Sequence, residues 1–351
     1  MRVSDNAAFF QMSAEMIWGL ALGATAFVST VAGTLAFRTV ALRKGILANP
    51  NFRSLHQRPM PEGGGLVFSL TLLATLATLW WNGFIDARVA QAIGLGGAVA
   101  TLFGFADDLV HAHPVAKLLT QGGLAAWALF CFGGAPLLDV PFTPPAVDLA
   151  FSWFLLVWLM NAYNFMDGVD GMAASGAVFI CSAAAVVLLL VDGDRSLALL
   201  LGLLGLCCGG FLLFNWPPAS IFMGDSGSLF LGYCFGAFIT GTITEGQINP
   251  WTWLVIFGYF AGDTTTTTVT RICLTKNWYG AHRSHAYQNL ARIWGDHRKV
   301  TIGVFFYHLL WLLPLAVMSE LASATGPLAA ALALGPVVFW TLRYGPRLSS
   351  A

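Results

Sequence analysis

Apolar residues run along this chain in blocks of about twenty, separated by short polar stretches where Gly, Pro, Asp and the basic residues gather. About 20 apolar residues are what a helix needs to cross the hydrocarbon core of a bilayer. Eleven spans are expected, at 15–37, 64–82, 89–106, 114–132, 149–163, 171–191, 195–214, 226–244, 250–270, 300–319 and 325–343. The pattern predicts an all-α polytopic membrane protein. It forms one domain over residues 1–351, without an internal repeat or a separable soluble unit.

Composition agrees, with 57% hydrophobic and 10% charged residues. Seventeen basic and seventeen acidic residues cancel, so net charge gives no reason to expect a nucleic-acid partner. The placement of charge is informative. With the N-terminus outside, Arg38, Arg43, Lys44, Arg53, Arg58, Lys117, Arg271, Lys276, Arg283, Arg292, Arg298, Lys299, Arg343 and Arg347 fall inside, and Arg2, Arg88 and Arg195 outside. This positive-inside bias predicts an N-out, C-in orientation. The first span is too long for a signal-peptide core, and Arg38 to Lys44 follow it as a stop-transfer pattern requires. The six cysteines lie in spans or at their ends without CxxC spacing, as packing thiols do.

In this orientation the outer connections, among them "VDGDR" and "GGAPLLDVPFTPPAVDL", read as turns and a short loop. The dense polar clusters lie inside: "ANPNFRSLHQRPMPEGGGL", "FADDLVHAHPVAK", "NAYNFMDGVDGMA", "FNWPPASIFMGDSGS" and "RICLTKNWYGAHRSHAYQNLARIWGDHRK". A transporter carries its polar groups near the midplane. Here they gather where spans leave the bilayer, which favours chemistry at the inner surface.

Asp107 and Asp108 end the third span, and adjacent carboxylates repel unless a cation compensates. The plainer reading is a solvated helix end, but neither acid is needed to stop the span. Lys117 is the basic residue of that connection, placed to bind an anion or to snorkel to the interface. Asn164, Asp167 and Asp170 recur every three residues. They share a face if the fifth span stays helical to Asp167, while Gly168 and Gly171 let the backbone bend. Two acids and an amide suit a hard cation such as Mg2+, with Mn2+ as the alternative. Asp225 lies between Gly224 and Gly227 at the start of the eighth span. There it is either an ordinary N-cap or an acid that coexists with phosphate through a metal; Asn215 and Pro217-Pro218 stand just before it. Asp263 is an acid inside the ninth span, with Arg271 or the threonines 264–268 as its expected partners. The last loop brings together His282, Arg283, His285 and Arg292 with Tyr279, Tyr287 and Gln288. It is suited to a phosphate or nucleobase, or to anionic lipid. His308 is expected to be packed, and His111 and His113 have no evident partner. Together these residues suit a metal-dependent reaction of a phosphate group on a membrane-bound substrate.

At this point the chain resembles the polyprenyl-phosphate N-acetylhexosamine-1-phosphate transferases of glycosyltransferase family 4. The resemblance is carried by "RPMPEGGGLVF", "FGFADDLV" with "VAKLLTQ", "NAYNFMDGVDGMA", "NWPPASIFMGDSGSLFLG" and "HRSHAYQNLAR", in family order over roughly residues 56–292. It implies transfer of a sugar 1-phosphate from a UDP-N-acetyl sugar to undecaprenyl phosphate with release of UMP, in the bacterial inner membrane, with Mg2+ and as a homodimer. It implies that Asp107 and Asp108 are the aspartate pair that activates the lipid phosphate. It implies that Asp225 is the Mg2+-binding acid, with Asn164, Asp167 and Asp170 beside metal and nucleotide, and that Asn215 and Lys117 contact substrate. His282, Arg283 and His285 are carried over as substrate-binding. The muramoyl-pentapeptide branch carries three consecutive histidines in the last loop. "AHRSHAYQ" is instead similar to the subgroup that starts O-antigen or related lipopolysaccharide glycans with deoxy-N-acetylhexosamines such as N-acetylfucosamine or N-acetylquinovosamine.

Three rivals are weaker. "DGVDG" offers an aspartate-rich prenyltransferase one motif but no second copy. A cation-coupled transporter has Asp263 as its best feature. An intramembrane aspartyl protease would need a paired Tyr-Asp motif beyond "MGD".

Overall fold

The computed structural model describes residues 3–49, 58–134, 143–274, 276 and 282–346, with side chains from Ile17 onward. Arg2, Arg53, Tyr279 and Arg347, and residues 135–142 of the Pro-rich outer connection, lie outside the described residues.

The helices are α1 (Val3–Lys44), α2 (Gly65–Trp81), α3 (Ala87–Val110), α4 (Pro114–Phe132), α5 (Pro145–Phe165), α6 (Met172–Leu190) and α7 (Arg195–Asn215). They continue with α8 (Asp225–Thr244), α9 (Pro250–Ile256), α10 (Gly258–Leu274), α11 (Ala286–Trp294), α12 (His297–Leu321) and α13 (Ser323–Tyr344). A two-residue antiparallel ladder joins β1 (Leu47–Ala48) to β2 (Met60–Pro61). Among the described residues nine helices are long and apolar enough to cross a membrane. The protein is an all-α, multi-pass membrane protein.

Two of the expected spans fall short of that standard. At 17 residues, α2 rises only about 25 Å, against a hydrocarbon core of about 30 Å. The span expected at 250–270 divides at Phe257, whose ψ of 3° leaves the helical region. Beyond the division Gly258 and Gly262 let α10 lie close against Ala333 and Val337 of α13. Exposed Trp81 (86%), Phe130 (78%) and Leu119 (72%) give the bundle an exterior suited to lipid. Inside the helices, Thr71, Thr75, Thr240 and Thr242 donate to carbonyls four residues back, which keeps their hydroxyls bonded away from water.

The hub is α8, in which every residue from Ser226 to Ile243 is buried. A helix enclosed on all sides must be apolar or small all round, and α8 meets this with glycines at 227, 232, 236 and 241. Small residues let helix backbones approach closely in a membrane. A Cβ on Gly232 would meet Met160 of α5, one on Gly65 would meet the backbone of Gly227, and one on Gly104 of α3 would meet the backbone of Asp225 and Ser226. The first turn of α8 is therefore clasped by bare backbone of α2 and α3. Ahead of α2, the amides of Gly64 and Gly65 donate to Phe222 and Met223 (2.9 and 2.8 Å), and that of Phe222 donates to Pro61 (2.8 Å).

Gly104→Ala is expected to cost about 1–3 kcal/mol of stability through overpacking and to displace Asp225. Gly123→Ala, where nothing lies within 4 Å, is the neutral control. Thermal unfolding of both variants checks this, and equal melting temperatures would contradict the clasp.

Candidate active site

One end of the bundle collects the C-terminus of α3, the first turn of α4, the last turn of α5, the N-terminus of α8 and the segment ahead of α2. This is the end predicted to face the cytosol. The N-terminus of α8 begins at Gly224, whose φ of +73° favours glycine. The two amides that follow are already occupied: Asp225 and Ser226 donate to Asp108 at 2.6 and 3.1 Å. Asp225 is thus no N-cap. Asp108, from α3, caps α8 from outside, one carboxyl oxygen on each of the two amides. The backbone amides expected to cradle phosphate are engaged by this carboxylate.

Asp225 directs its carboxylate at two partners. Lys117 of α4 approaches Oδ2 at 2.9 Å, and Asn164 of α5 donates to Oδ1 at 2.7 Å while reaching Ser228 at 2.8 Å. The same Lys117 ammonium is paired with buried Asp107, which also accepts from the amide of Ala112 at 2.7 Å. A single lysine therefore bridges Asp107 and Asp225, the acids of two different helices.

Two more acids complete the cluster. Asp167 is half-buried just past α5, and burial together with the Asp225, Glu62, Asp108 and Asp170 carboxylates raises its pKa well above the usual carboxylate range. Glu62, ahead of α2, is pushed up to about 7, first by burial and then by Asp225 and Asp107. Glu62 is a residue that motif reading passed over. Its signal was an acid next to three glycines, "PEGGG", at the entry to a span on the site face.

A raised carboxyl pKa opposes folding once the acid must ionise, so this contribution to stability is present below 4.5 and lost as pH rises through about 7. In chelator-treated protein the melting temperature is expected to fall over that window, and Glu62→Gln should reduce the fall. Equal slopes for the two proteins would contradict the coupling.

The expected shared face of Asn164, Asp167 and Asp170 does not form. Helix α5 ends at Phe165 with Met166 as its C-cap, and the chain turns through Gly168 to Gly171, where φ is +74°. Asp170 is bound on the far side of the turn: Oδ2 accepts from the amide of Ala219 (3.0 Å) and Oδ1 lies 3.2 Å from Nδ1 of His297. Asn215 is buried and holds the same loop, accepting from the amide of Gly171 and donating to Ile221, both at 3.0 Å. Asn161, which had no assigned role, pairs with Gln121 of α4 at 2.8 Å.

Asp263 does not pair with Arg271. It receives His285 Nδ1 (2.8 Å), the amide of Ala286 (3.0 Å) and the hydroxyl of Thr341 (2.9 Å), which fastens the start of α11 to α10 and α13. His285, with one ring nitrogen so engaged, stacks on His282 at 5.1 Å between centroids, and both lie against Phe165. Tyr287 donates to the Phe165 carbonyl (2.6 Å) and accepts from the Gly168 amide (3.1 Å), tying the last loop to the Asp167 turn. Arg283 lines a neighbouring cavity with His282. His308 stacks on Phe179 at 4.5 Å, and His113 caps α4 through Nδ1.

Among the described residues no three His, Cys, Asp or Glu side chains close on one point as a metal cage would. A Mg2+ site needs no such cage, because the ion keeps several waters and takes one or two carboxylates together with substrate phosphate. Glu62, Asp107, Asp108, Asp167 and Asp225 outnumber the one ammonium that bridges two of them, and the pKa values of Glu62 and Asp167 are raised first by burial and then by the Asp225 carboxylate that both face. This donor set fits a hard divalent cation.

Comparison with known proteins follows the same lines. The profile of glycosyl transferase family 4 matches residues 90–242, which contain Asp107, Asp108, Lys117, Asn164, Asp167 and Asp225. The chain is 29% identical over 280 residues to a probable undecaprenyl-phosphate N-acetylglucosaminyl 1-phosphate transferase of Bacillus subtilis, covering 76% of each chain. It is 28% identical to a decaprenyl-phosphate N-acetylglucosaminephosphotransferase of Mycolicibacterium smegmatis, over 82% of this chain and 78% of that one. It is 30% identical to a phospho-N-acetylmuramoyl-pentapeptide-transferase of Pelotomaculum thermopropionicum, over 64% of this chain and 76% of that one.

Proposed function

The chain belongs to glycosyl transferase family 4, and from that premise we propose that it transfers a sugar 1-phosphate from a UDP-N-acetyl sugar to undecaprenyl phosphate in the bacterial inner membrane, releasing UMP. The observation that carries this reading is the meeting of Asp225, Lys117, Asp107 and Asn164 at the first turn of the buried central helix. Phosphoryl transfer needs positioned charge more than covalent chemistry, and this site is mostly positioned charge.

Mg2+, held by Asp225 with Asn164 and water, would supply neutralisation of the donor pyrophosphate. The other roles fall to the chain's own groups. Lys117 Nζ stands beside Asp225 and offers its ammonium to a phosphate oxygen of the donor. Asp167, whose proton affinity burial and then the neighbouring acids raise, takes the proton of the acceptor phosphate. An acceptor oxygen then forms a bond to the sugar-bearing phosphorus, and the bond from that phosphorus to UMP breaks. Asp108 keeps the α8 N-terminus in place, and Asn215, Asp170 and Tyr287 hold the 165–171 loop. The loop "AHRSHAYQ", with His282 and His285 separated by Arg283-Ser284, supports a deoxy-N-acetylhexosamine donor for O-antigen or related glycans.

The test is purified protein with Mg2+, undecaprenyl phosphate and a panel of UDP-sugars: N-acetylglucosamine, N-acetylfucosamine and N-acetylquinovosamine. UMP release is expected with one of them, and none from folded protein with any donor would overturn the proposal.

A further inference from the structure

Apart from the carboxylate cluster, a cavity of about 250 Å3 lies between α10, α11, α12 and α13. Its inner wall is made by Val300 and Val304 of α12 and Val337 of α13, all buried. It opens to the outside beside Trp294 of α11, Gly303 of α12 and Trp340 of α13, all exposed. A Cβ on Gly303 would meet nothing within 4 Å, so α12 leaves a notch there. Three of the polar side chains in the lining are engaged with protein. Asp263 accepts from Thr341 and from the amide of Ala286 and pairs with His285, and Tyr307 donates to the carbonyl of Ala333 (2.5 Å).

A water in such a space needs two to four polar partners, whereas an apolar cavity of only about 150 Å3 stays dry and takes up small hydrocarbons. The lining therefore suits hydrocarbon, and its place in the fold decides the source. Helices α12 and α13 are long and apolar enough to cross the membrane. The notch stands on the second turn of α12, beside Thr301, which donates to Asp170 at the carboxylate end of the bundle (2.8 Å). From α11, Ala286, Leu290 and Trp294 recur every four residues and turn one stripe to the cavity. A short amphipathic helix of this kind lies in the membrane surface, where Trp side chains also gather. The hydrocarbon that meets the opening is thus that of the leaflet on the same side. The chain of a prenyl phosphate acceptor is a poorer occupant, because its phosphate belongs at the carboxylates. Contacts from the cavity to Asp225 run through Asp263, His285, Phe165 and Asn164 and leave the two spaces separate.

We propose that this cavity binds one acyl chain of a bilayer phospholipid from the leaflet on the side of the carboxylate cluster, recognised by its hydrocarbon and not by its headgroup. The chain enters beside Trp294 and Trp340, fills the Gly303 notch and covers Asp263. Hydrocarbon there keeps water from the Asp263–His285 pair, and hydrogen bonds gain strength in a low dielectric. It also supports α11, whose Tyr287 holds the 165–171 loop.

The experiment measures binding rather than turnover. Detergent-solubilised protein is irradiated with phosphatidylcholine or phosphatidylglycerol that carries a diazirine on one acyl chain, and the labelled peptides are identified by mass spectrometry. Labelling is expected between Leu290 and Tyr307 and between Pro336 and Thr341, equally for the two headgroups. It should exceed that of Leu119 and Phe130 on α4, which are simply exposed. Gly303→Leu puts a side chain in the notch and is expected to lower cavity labelling about fivefold, because close-packed space admits one occupant, and to leave α4 labelling unchanged. Gly303→Ala should lower it less, and decides the matter if the Leu variant does not fold; unfolding curves show which variants do. Unlabelled phosphatidylcholine should compete, and farnesyl phosphate at the same concentration should not. Cavity labelling no higher than that of α4, labelling unaffected in the folded variants, or labelling that follows one headgroup would each overturn the proposal. Displacement by farnesyl phosphate would overturn it too, by giving the cavity to a prenyl chain.

Discussion

Asp225→Asn is expected to lower turnover by about three orders of magnitude or more while the protein stays folded. The carboxylate stands where Lys117 at 2.9 Å and Asn164 at 2.7 Å converge, and an amide there removes the charge that a divalent cation needs. Loss of a single group aimed at developing charge costs on the order of 10²–10³ in rate, and loss of a metal ligand removes more than one such interaction. Folding should not suffer. Removing the Asp225 charge relieves its repulsion of Glu62 and Asp167, and this offsets the loss of the charge that Lys117 and Asn164 bind. The melting temperature without Mg2+ is expected to stay near that of wild type, and the stabilisation by Mg2+ to vanish. UMP release at saturating substrates, read beside melting curves with and without Mg2+, checks both halves. Near-normal turnover would remove Asp225 from the site.

Lys117→Met is expected to damage stability and turnover by separable routes. It leaves Asp107, whose side chain is 3% exposed, without its ammonium. Breaking a buried ion pair costs about 3–5 kcal/mol. Because the Lys117 side chain is 38% exposed, solvent screening lowers the expected loss to about 2–3 kcal/mol. The double variant Lys117→Met/Asp107→Asn removes the stranded charge and is expected to recover most of that stability. It should not recover turnover, which stays below about one hundredth of wild type because the phosphate loses its cation. Denaturant unfolding together with UMP release distinguishes the cases. A double variant that regains activity along with stability would reduce Lys117 to a structural counter-ion.

The acids that converge were legible one at a time. Asp107, Asp108 and Asp225 each stood at the end of an apolar block, and ordering the blocks by positive charge brought them to one side. Their division of labour was not legible. Asp107 and Asp108 look alike in "FADDLV", yet one is paired with Lys117 and the other caps α8 from 117 residues away. Adjacent residues on a helix point about 100° apart, so which acid meets which neighbour depends on how α3 is rotated against α8. That rotation is set where Gly104 lets the two backbones touch. Spacing misled in "NAYNFMDGVDGMA" for a related reason. An i, i+3, i+6 face exists only while the helix lasts, and α5 stops at Phe165. Asp170 is then free to turn to His297, 127 residues on.

The sequence by itself determined that this chain crosses a membrane many times, and that its polar residues gather at the ends of its apolar blocks. Both are local properties, readable from the transfer energy of each block and the residues beside it. Tertiary structure alone decided the pairings: Lys117 between Asp107 and Asp225, Asp108 on the α8 amides, and Asp263 with His285. The physical reason is range. A carboxylate's partner must come within about 3 Å, and which groups arrive there depends on close backbone contacts between helices far apart in the chain, which hydropathy and spacing do not encode.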